Sequence, residues 1–149
     1  MELFAATFIA LYAAHMVGDH WVQTGHQAAH KGDPGAAGRR ACAWHVYTYT
    51  WTALVFLIAM GVTLDTSLPT WQVAAGLTVS AVTHYIADRR TPLKRIASWL
   101  SRIGKDGFYQ LGAPREGKDD NPTLGTGAYA LDQSWHIAWL FIAALIMAA

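Results

Sequence analysis

The fold is decided by the stretch MELFAATFIALYAAHMVGDHWVQT, residues 1–24. Residues 3–17 are almost entirely apolar, whereas the later part of the stretch carries His15 and Asp19. At about 1.5 Å per residue, a helix of this length spans the roughly 30 Å hydrocarbon core of a bilayer. The positive residues that open a secretory signal peptide do not precede the apolar run, so the stretch predicts a retained transmembrane helix with one polar half.

Composition supports a membrane environment for the whole chain. Of the 149 residues, 53% are hydrophobic and only 14% are charged, a balance unlike that of ordinary soluble domains. The length predicts a single domain over residues 1–149, and a net charge of +1 gives no general attraction to nucleic acid. The single cysteine, Cys42, has no partner for an internal disulfide, so we expect it to pack in the core.

Four apolar stretches predict an all-α fold, specifically an integral membrane four-helix bundle. We expect helices at about residues 2–24, 39–62, 70–88 and 128–148, joined on the cytoplasmic side by loops at 25–38 and 89–127. In the second loop, the apolar residues of segment 93–103 share one helical face, which predicts a cytoplasmic interfacial amphipathic helix. Gly, Pro and charged residues predict an irregular loop over 104–127.

The basic residues predict the orientation of this bundle. All 11 fall in or beside the two loops assigned to the cytoplasmic side, where membrane proteins carry their excess of Lys and Arg. We therefore expect a multi-pass protein of the inner, cytoplasmic membrane with both termini outside the cytoplasm. The residues counted are Lys31, Arg39, Arg40, Arg89, Arg90, Lys94, Arg95, Arg102, Lys105, Arg115 and Lys118.

Ionisable side chains within the predicted spans are the candidates for function. Such side chains are costly in a membrane, so they usually face the bundle interior and pair with one another. Three of the four helices carry a His and an Asp four residues apart, which places each pair on one helical face. The set consists of His15, Asp19, His45, His84, Asp88, Asp132 and His136.

Helix direction should bring this set to one depth. Helices one and three run toward the cytoplasm and carry their pairs late, whereas helices two and four leave the cytoplasm and carry theirs early. All seven side chains should meet near the cytoplasmic face, and inward-facing imidazoles and carboxylates in a four-helix bundle can form a metal site. We expect all seven as candidate ligands of one or two divalent ions, zinc first, with manganese or iron as alternatives.

A metal at this position would supply hydrolytic chemistry. It would activate bound water and polarise a phosphoryl or carbonyl oxygen, with Asp19, Asp88 and Asp132 as the candidate catalytic residues. Two other interpretations remain open, a proton or ion relay and a structural polar network. Histidines near the end of helix one and in the first loop are expected to be interfacial or solvated only: His20, His26 and His30.

Several further polar residues have two interpretations each. Gln23 and Gln133 either orient metal ligands or contact headgroups. The run Lys118-Asp119-Asp120-Asn121 either binds a cation or is simply solvated. The basic cluster after helix three either holds the cytoplasmic face against anionic lipid or binds a substrate phosphate: Arg89, Arg90, Lys94 and Arg95.

The order of these motifs resembles that of a known family, the bacterial and phage membrane family called domain of unknown function 3307. Such membership would imply an integral membrane protein in which these positions form a shared polar set, and it implies no particular activity. A looser similarity in motif style exists to inner-membrane metal-dependent hydrolases. The motifs that carry the resemblance are His15-Met16-Val17-Gly18-Asp19 with Gln23, then His45, then His84-Tyr85-Ile86-Ala87-Asp88 with Arg89, and Asp132-Gln133-Ser134-Trp135-His136.

The sequence thus leads to one hypothesis and two alternatives. The hypothesis is a metal-dependent hydrolase that acts on a lipid or isoprenoid phosphate at the cytoplasmic leaflet, with the lipid bilayer as its partner. The alternatives are a small ion or proton transport or relay protein and a non-enzymatic membrane accessory protein. The outer halves of helices one and four are almost wholly apolar, which favours a one-sided pocket over a conducting path. Small residues in the helices permit close packing within one bundle or between copies.

Overall fold

The computed structural model describes residues 1–113 and 125–149, and all regular secondary structure in these ranges is helical. The expectation of an all-α fold is therefore confirmed. A π-helical turn, Gly18–Val22, continues the first helix, and a short 3₁₀ turn, Ser101–Ile103, follows the fifth. The α-helices of the described residues are α1 (Glu2–Val17), α2 (Gly25–His30), α3 (Gly35–Thr63), α4 (Thr70–Asp88), α5 (Thr91–Trp99), α6 (Lys105–Gln110) and α7 (Gly127–Ala148).

The four long helices, α1, α3, α4 and α7, pack side by side around a shared interior. One end of this interior is apolar, with Leu11, Leu57 and Leu140 buried against one another. Small residues allow close approach of the helices, as at Gly76, where an added Cβ would lie only 2.5 Å from Met147 Cε. The polar candidates lie toward the other end of the same interior.

The first predicted loop, 25–38, was wrong in part because it contains α2 and the start of α3. Thr24 and Gln27 form a capping box that starts α2: the Thr24 hydroxyl accepts from Gln27 N at 3.2 Å, and Gln27 Oε1 accepts from Thr24 N at 2.8 Å. α3 begins at Gly35, four residues before the predicted start, because Pro34 provides the extended residue that precedes it. The predicted bounds of the third helix match α4, and those of the fourth match α7 to within one residue.

Within the second predicted connection, 89–127, α5 overlaps the amphipathic helix expected over 93–103, whereas α6 lies in the segment expected to be irregular. Pro92 is compatible with the first turn of α5. Proline has no backbone N–H, but the N–H groups of a first turn have no acceptor within the helix. Leu93 and Ala97 are buried, as the amphipathic pattern predicts, whereas Ile103 lies beyond the end of α5 and is exposed. The run 118–121 and the residues Arg115 and Lys118 lie outside the described residues.

Two helices of the described chain, α3 and α7, are long and apolar enough to cross a membrane. Their outward faces carry large apolar side chains that the protein itself does not cover, among them Trp51, Ile58 and Leu145. Exposed apolar surfaces of this kind mark sites that contact a membrane or another protein. The fold is therefore consistent with association with a membrane.

Candidate metal centre

The structure brings all seven predicted site residues together at one end of the bundle. His15 comes from the last turn of α1, Asp19 from the π-helical turn, His45 from α3, and the other pairs from the end of α4 and the start of α7. The four imidazoles and Asp88 are each at most 3% exposed. The Asp132 side chain is the most accessible of the set, at 27% exposure.

Four donor atoms lie close together at the centre of this cluster, and we call them the central tetrad: Asp19 Oδ1, His45 Nε2, His84 Nε2 and Asp88 Oδ2. Asp19 Oδ1 lies 3.4 Å from the His45 nitrogen and 3.5 Å from the His84 nitrogen. Asp88 Oδ2 lies 3.2 Å from each of these nitrogens, which are 3.0 Å apart. Donor atoms bound tetrahedrally at about 2.0–2.1 Å from one zinc ion lie about 3.3–3.4 Å from each other, so these distances fit one shared ion.

The two carboxylate oxygens of the central tetrad are buried without hydrogen bonds. Asp19 Oδ1 and Asp88 Oδ2 accept none from any described residue, because their contacts with the imidazoles lack hydrogen-bond geometry. A single proton shared between His45 and His84 would supply one positive charge to these two carboxylates, and Lys31 Nζ, 2.8 Å from Asp88 Oδ1, supplies another. Buried charge is stable only when it is paired or bound to metal, so protonated imidazoles or a bound cation could each compensate this donor set.

The π-helical turn places Asp19 in the site. Gln23 N donates to Gly18 O at 2.9 Å, the wider spacing that defines this turn. An added Cβ at Gly18 would lie 3.1 Å from Tyr49 Cδ2, so glycine allows the turn to pack closely against α3. π-Helical turns are rare in proteins overall, and those that occur are often found at functional sites. The sequence pattern predicted an ordinary helix here, since the turn depends on tertiary packing.

Tyr49 holds the His84 ring and was missed by the sequence analysis. The two rings are stacked with their centroids 4.0 Å apart, and the Tyr49 hydroxyl lies 2.8 Å from Ser80 Oγ. Among the described residues, Nδ1 of His45 and of His84 finds no hydrogen-bond partner, in contrast to the usual metal-ligating histidine. Packing against Tyr49 therefore orients the His84 ring without a hydrogen bond at Nδ1.

A second group of donor atoms adjoins the central tetrad. His136 Nε2 lies 3.5 Å from Asp132 Oδ2 and 3.9 Å from Asp88 Oδ1, the other oxygen of the same Asp88 carboxylate. His15 Nδ1 approaches Asp19 Oδ2 at 3.6 Å, and its Nε2 lies 3.2 Å from Gln133 Oε1. The Gln133 amide thus contacts His15, a candidate metal ligand, and can orient its ring, which is one of the two roles proposed for Gln133 from the sequence.

Lys31 also contacts this centre, although its sequence position indicated only the orientation of the bundle in the membrane. Its Nζ lies 2.8 Å from Asp88 Oδ1. Arg89 fixes the segment that carries Lys31, because its guanidinium donates to the carbonyl oxygens of Lys31, at 2.6 Å, and Asp33, at 2.5 Å. The Arg89 guanidinium is thereby engaged by backbone carbonyls. No periodicity in the sequence connects residue 31 with residue 88, so the contact could not be predicted.

A cavity of about 590 Å³ opens beside the cluster. Asp19, Asp88 and Asp132 line it, together with the basic side chains of Lys31 and Arg90. The arrangement places metal-ligating and cationic groups around a space large enough for a small polar molecule or headgroup.

The three histidines set aside as interfacial differ in their positions. His20 lines the cavity, and its Nε2 lies 3.5 Å from the Tyr129 hydroxyl. His30 instead pairs with Asp33 at 2.7 Å on the exposed surface, and its ring lies 4.6 Å from that of His26. Only His20 of the three therefore contributes to the cavity wall.

The comparisons with known proteins identify the family. Residues 7–149 match the family model described as Protein of unknown function (DUF3307). The chain belongs to this family, as the motif order predicted. No curated protein and no solved structure matches the chain, so the looser likeness to inner-membrane metal-dependent hydrolases has no support from relatives.

We predict that Lys31→Met destabilises the metal-stripped protein. The substitution removes the ammonium from the buried Asp88 carboxylate, and loss of a hydrogen bond between charged groups costs about 1.5–3 kcal/mol. Thermal unfolding followed by circular dichroism in detergent with a chelator should show a lower midpoint. Lys94→Met makes the same chemical change at an exposed position and should leave the midpoint unchanged. Equal midpoints for both variants would show that the pair with Asp88 contributes nothing.

Proposed function

We propose that this protein is an integral membrane, metal-dependent hydrolase that acts on a lipid or isoprenoid phosphate at the cytoplasmic face. The observation that carries the proposal is the central tetrad, in which each carboxylate oxygen lies 3.2–3.5 Å from both imidazole nitrogens, beside a cavity with basic side chains. In the proposal Asp19, His45, His84 and Asp88 hold a divalent ion, with zinc first and manganese or iron as alternatives.

Four membrane spans are part of the proposal. α3 and α7 have the length and hydropathy for crossing, while α1 with its π-helical turn and α4 pack beside them along the same bundle. The described basic residues lie in or next to the connections at the end that holds the metal centre, and the apolar core lies at the other end. This distribution supports a cytoplasmic site, with α5 at the interface and both termini on the opposite side.

The chemistry follows from which groups face the cavity. A divalent ion held by the tetrad would activate water and polarise a phosphoryl oxygen. Asp19 and Asp88 are both ligands and cavity-lining residues, so the ion would be accessible from the cavity. Asp132 is the third acidic side chain there, and its greater exposure suits it to orient the attacking water.

A phosphate group is the substrate feature that best fits the cavity wall. Lys31 and Arg90 supply positive charge beside the carboxylates that would bind metal. Phosphoryl transfer depends on neutralising the negative charge of the phosphate oxygens, and cationic side chains that line the same cavity can do this. The cavity lies at the end of a bundle with an apolar exterior, so a lipid carrying that phosphate could approach from the bilayer.

The relay alternative has less support from the packing. A relay needs polar groups that continue through the bundle. Instead, beyond Tyr49 and Ser80 the core is mainly apolar, with side chains such as Leu11, Leu57 and Met147, although Thr7 and Gln72 are also buried. The described interior therefore favours a pocket open at one end.

We predict that wild-type protein purified in detergent retains stoichiometric divalent metal and releases inorganic phosphate from a polyprenyl phosphate or phosphatidic acid in mixed micelles. His84→Gln removes a tetrad nitrogen and should abolish bound metal, measured by plasma mass spectrometry. We expect it to reduce phosphate release about 100-fold or more, the scale seen when one electrostatic catalytic group is lost.

The matched control is His26→Gln, which makes the same change at an exposed histidine outside the cavity and should keep both metal and activity. Wild-type protein that binds no zinc, manganese or iron after these ions are supplied would contradict the proposal. Bound metal without phosphate release from either lipid would support the metal centre and contradict the proposed substrate class.

The proposed topology makes a separate prediction. A C-terminal alkaline phosphatase fusion should be active and a C-terminal green fluorescent protein fusion dark, because the end of α7 would lie outside the cytoplasm. Fusion of the same reporters after Lys105 should give the reverse result, since α6 would lie on the cytoplasmic side. The same reporter pattern at both positions would reject the four-span arrangement.

A further inference from the structure

The Asp88 carboxylate faces two groups of donor atoms at once. Its Oδ2 belongs to the central tetrad, while its Oδ1 points toward His136 and Lys31. A carboxylate that offers one oxygen to each of two neighbouring positions is the usual bridge of a two-metal site. The two oxygens of Asp88 therefore face two different groups of donor atoms.

From this arrangement we propose a second divalent-ion position, formed by Asp88 Oδ1, Asp132 Oδ2 and His136 Nε2, that is bridged to the central tetrad by Asp88. The inference rests on the proposed function, because it adds an ion to that same centre. One ligand atom from each of these three residues lies within 4.8 Å of the other two. His136 Nε2 is 3.5 Å from the Asp132 oxygen and 3.9 Å from the Asp88 oxygen. Ligands of one ion bound at about 2.0–2.2 Å lie about 3–4 Å apart, so the spacing fits.

The state of His136 gives independent support. The residue is 3% exposed, and its Nε2 makes no hydrogen bond within the described chain. Its ring is held from two sides, with centroids 4.2 Å from His84 and 4.9 Å from His15. A buried imidazole nitrogen directed at two carboxylates has the position and chemistry of a metal ligand.

The Lys31 ammonium is compatible with this second ion. A carboxylate oxygen has two lone pairs, so Asp88 Oδ1 can accept from Lys31 at 2.8 Å and still ligate a metal. The second position lies on the cavity side, because Asp88 and Asp132 line the cavity. Protein groups supply only part of a coordination shell here, which leaves room for water or substrate oxygen. Asp132 would then orient water by holding this cavity-side ion.

Manganese provides a direct test of the second position. Wild-type protein is stripped with chelator, reloaded with saturating Mn²⁺ in detergent, freed of excess ion by gel filtration and analysed for metal content and by electron paramagnetic resonance. We expect two ions per chain with an exchange-coupled spectrum. Asp132→Asn should hold one ion per chain and give the spectrum of an isolated ion, and His136→Gln should do the same. Asp33→Asn, at a half-exposed surface carboxylate, should behave as wild type.

The outcomes separate this inference from the proposed function. One ion per wild-type chain, unchanged in Asp132→Asn, would overturn the second position and leave the central tetrad intact. Two ions without exchange coupling would overturn the Asp88 bridge. No bound ion in wild type would overturn both. Thermal unfolding of each variant, followed by circular dichroism, identifies any loss of metal that is caused by unfolding. Asp132→Asn and His136→Gln each remove one ligand of the second ion, so the same result from both tests the position independently.

Discussion

The structure depends on the burial of carboxylates and imidazoles at one end of an otherwise apolar bundle. Asp88 is 2% exposed and the four imidazoles no more than 3%, whereas the buried hydrophobic core at the other end consists of Leu, Ala and Met. Charges in such surroundings cost several kcal/mol each unless opposite charge compensates them. The surrounding helices must therefore supply compensating groups in fixed positions, and a cation between Asp19 and Asp88 would be the strongest of these.

Much of the local architecture can be understood as support for this polar end. The π-helical turn displaces Asp19 toward α3 and α4, and the close contact at Gly18 permits it. Arg89 anchors the segment after α2 through backbone carbonyls, which keeps Lys31 against Asp88. Arg90 adopts a positive φ of 57°, an uncommon backbone conformation for a non-glycine residue, and donates to Ala28 O at 3.0 Å. Strain next to a cluster of this kind is typical of functional sites.

The sequence predicted the parts of the site that depend on helix periodicity. The i, i+4 pairs and the alternating helix directions were sufficient to place seven side chains from four helices in one layer, and the structure brings those side chains together. Two kinds of feature were not predicted. α2 depends on the Thr24–Gln27 capping box, a local motif that can be recognised in sequence. Lys31, Tyr49 and His20 reach the cluster or its cavity through tertiary contacts that no local pattern encodes. The pairing of particular donor atoms within the cluster likewise depends on side-chain geometry.

The central claim is that Asp19, His45, His84 and Asp88 bind one ion through nitrogen and oxygen alone. Zinc K-edge X-ray absorption on protein loaded with one equivalent of zinc tests it most directly. We expect four nitrogen or oxygen neighbours at about 2.0–2.1 Å and outer-shell scattering from imidazole rings. A sulfur neighbour at about 2.3 Å, which would implicate Cys42, or a shell of oxygen alone without imidazole scattering, would contradict it.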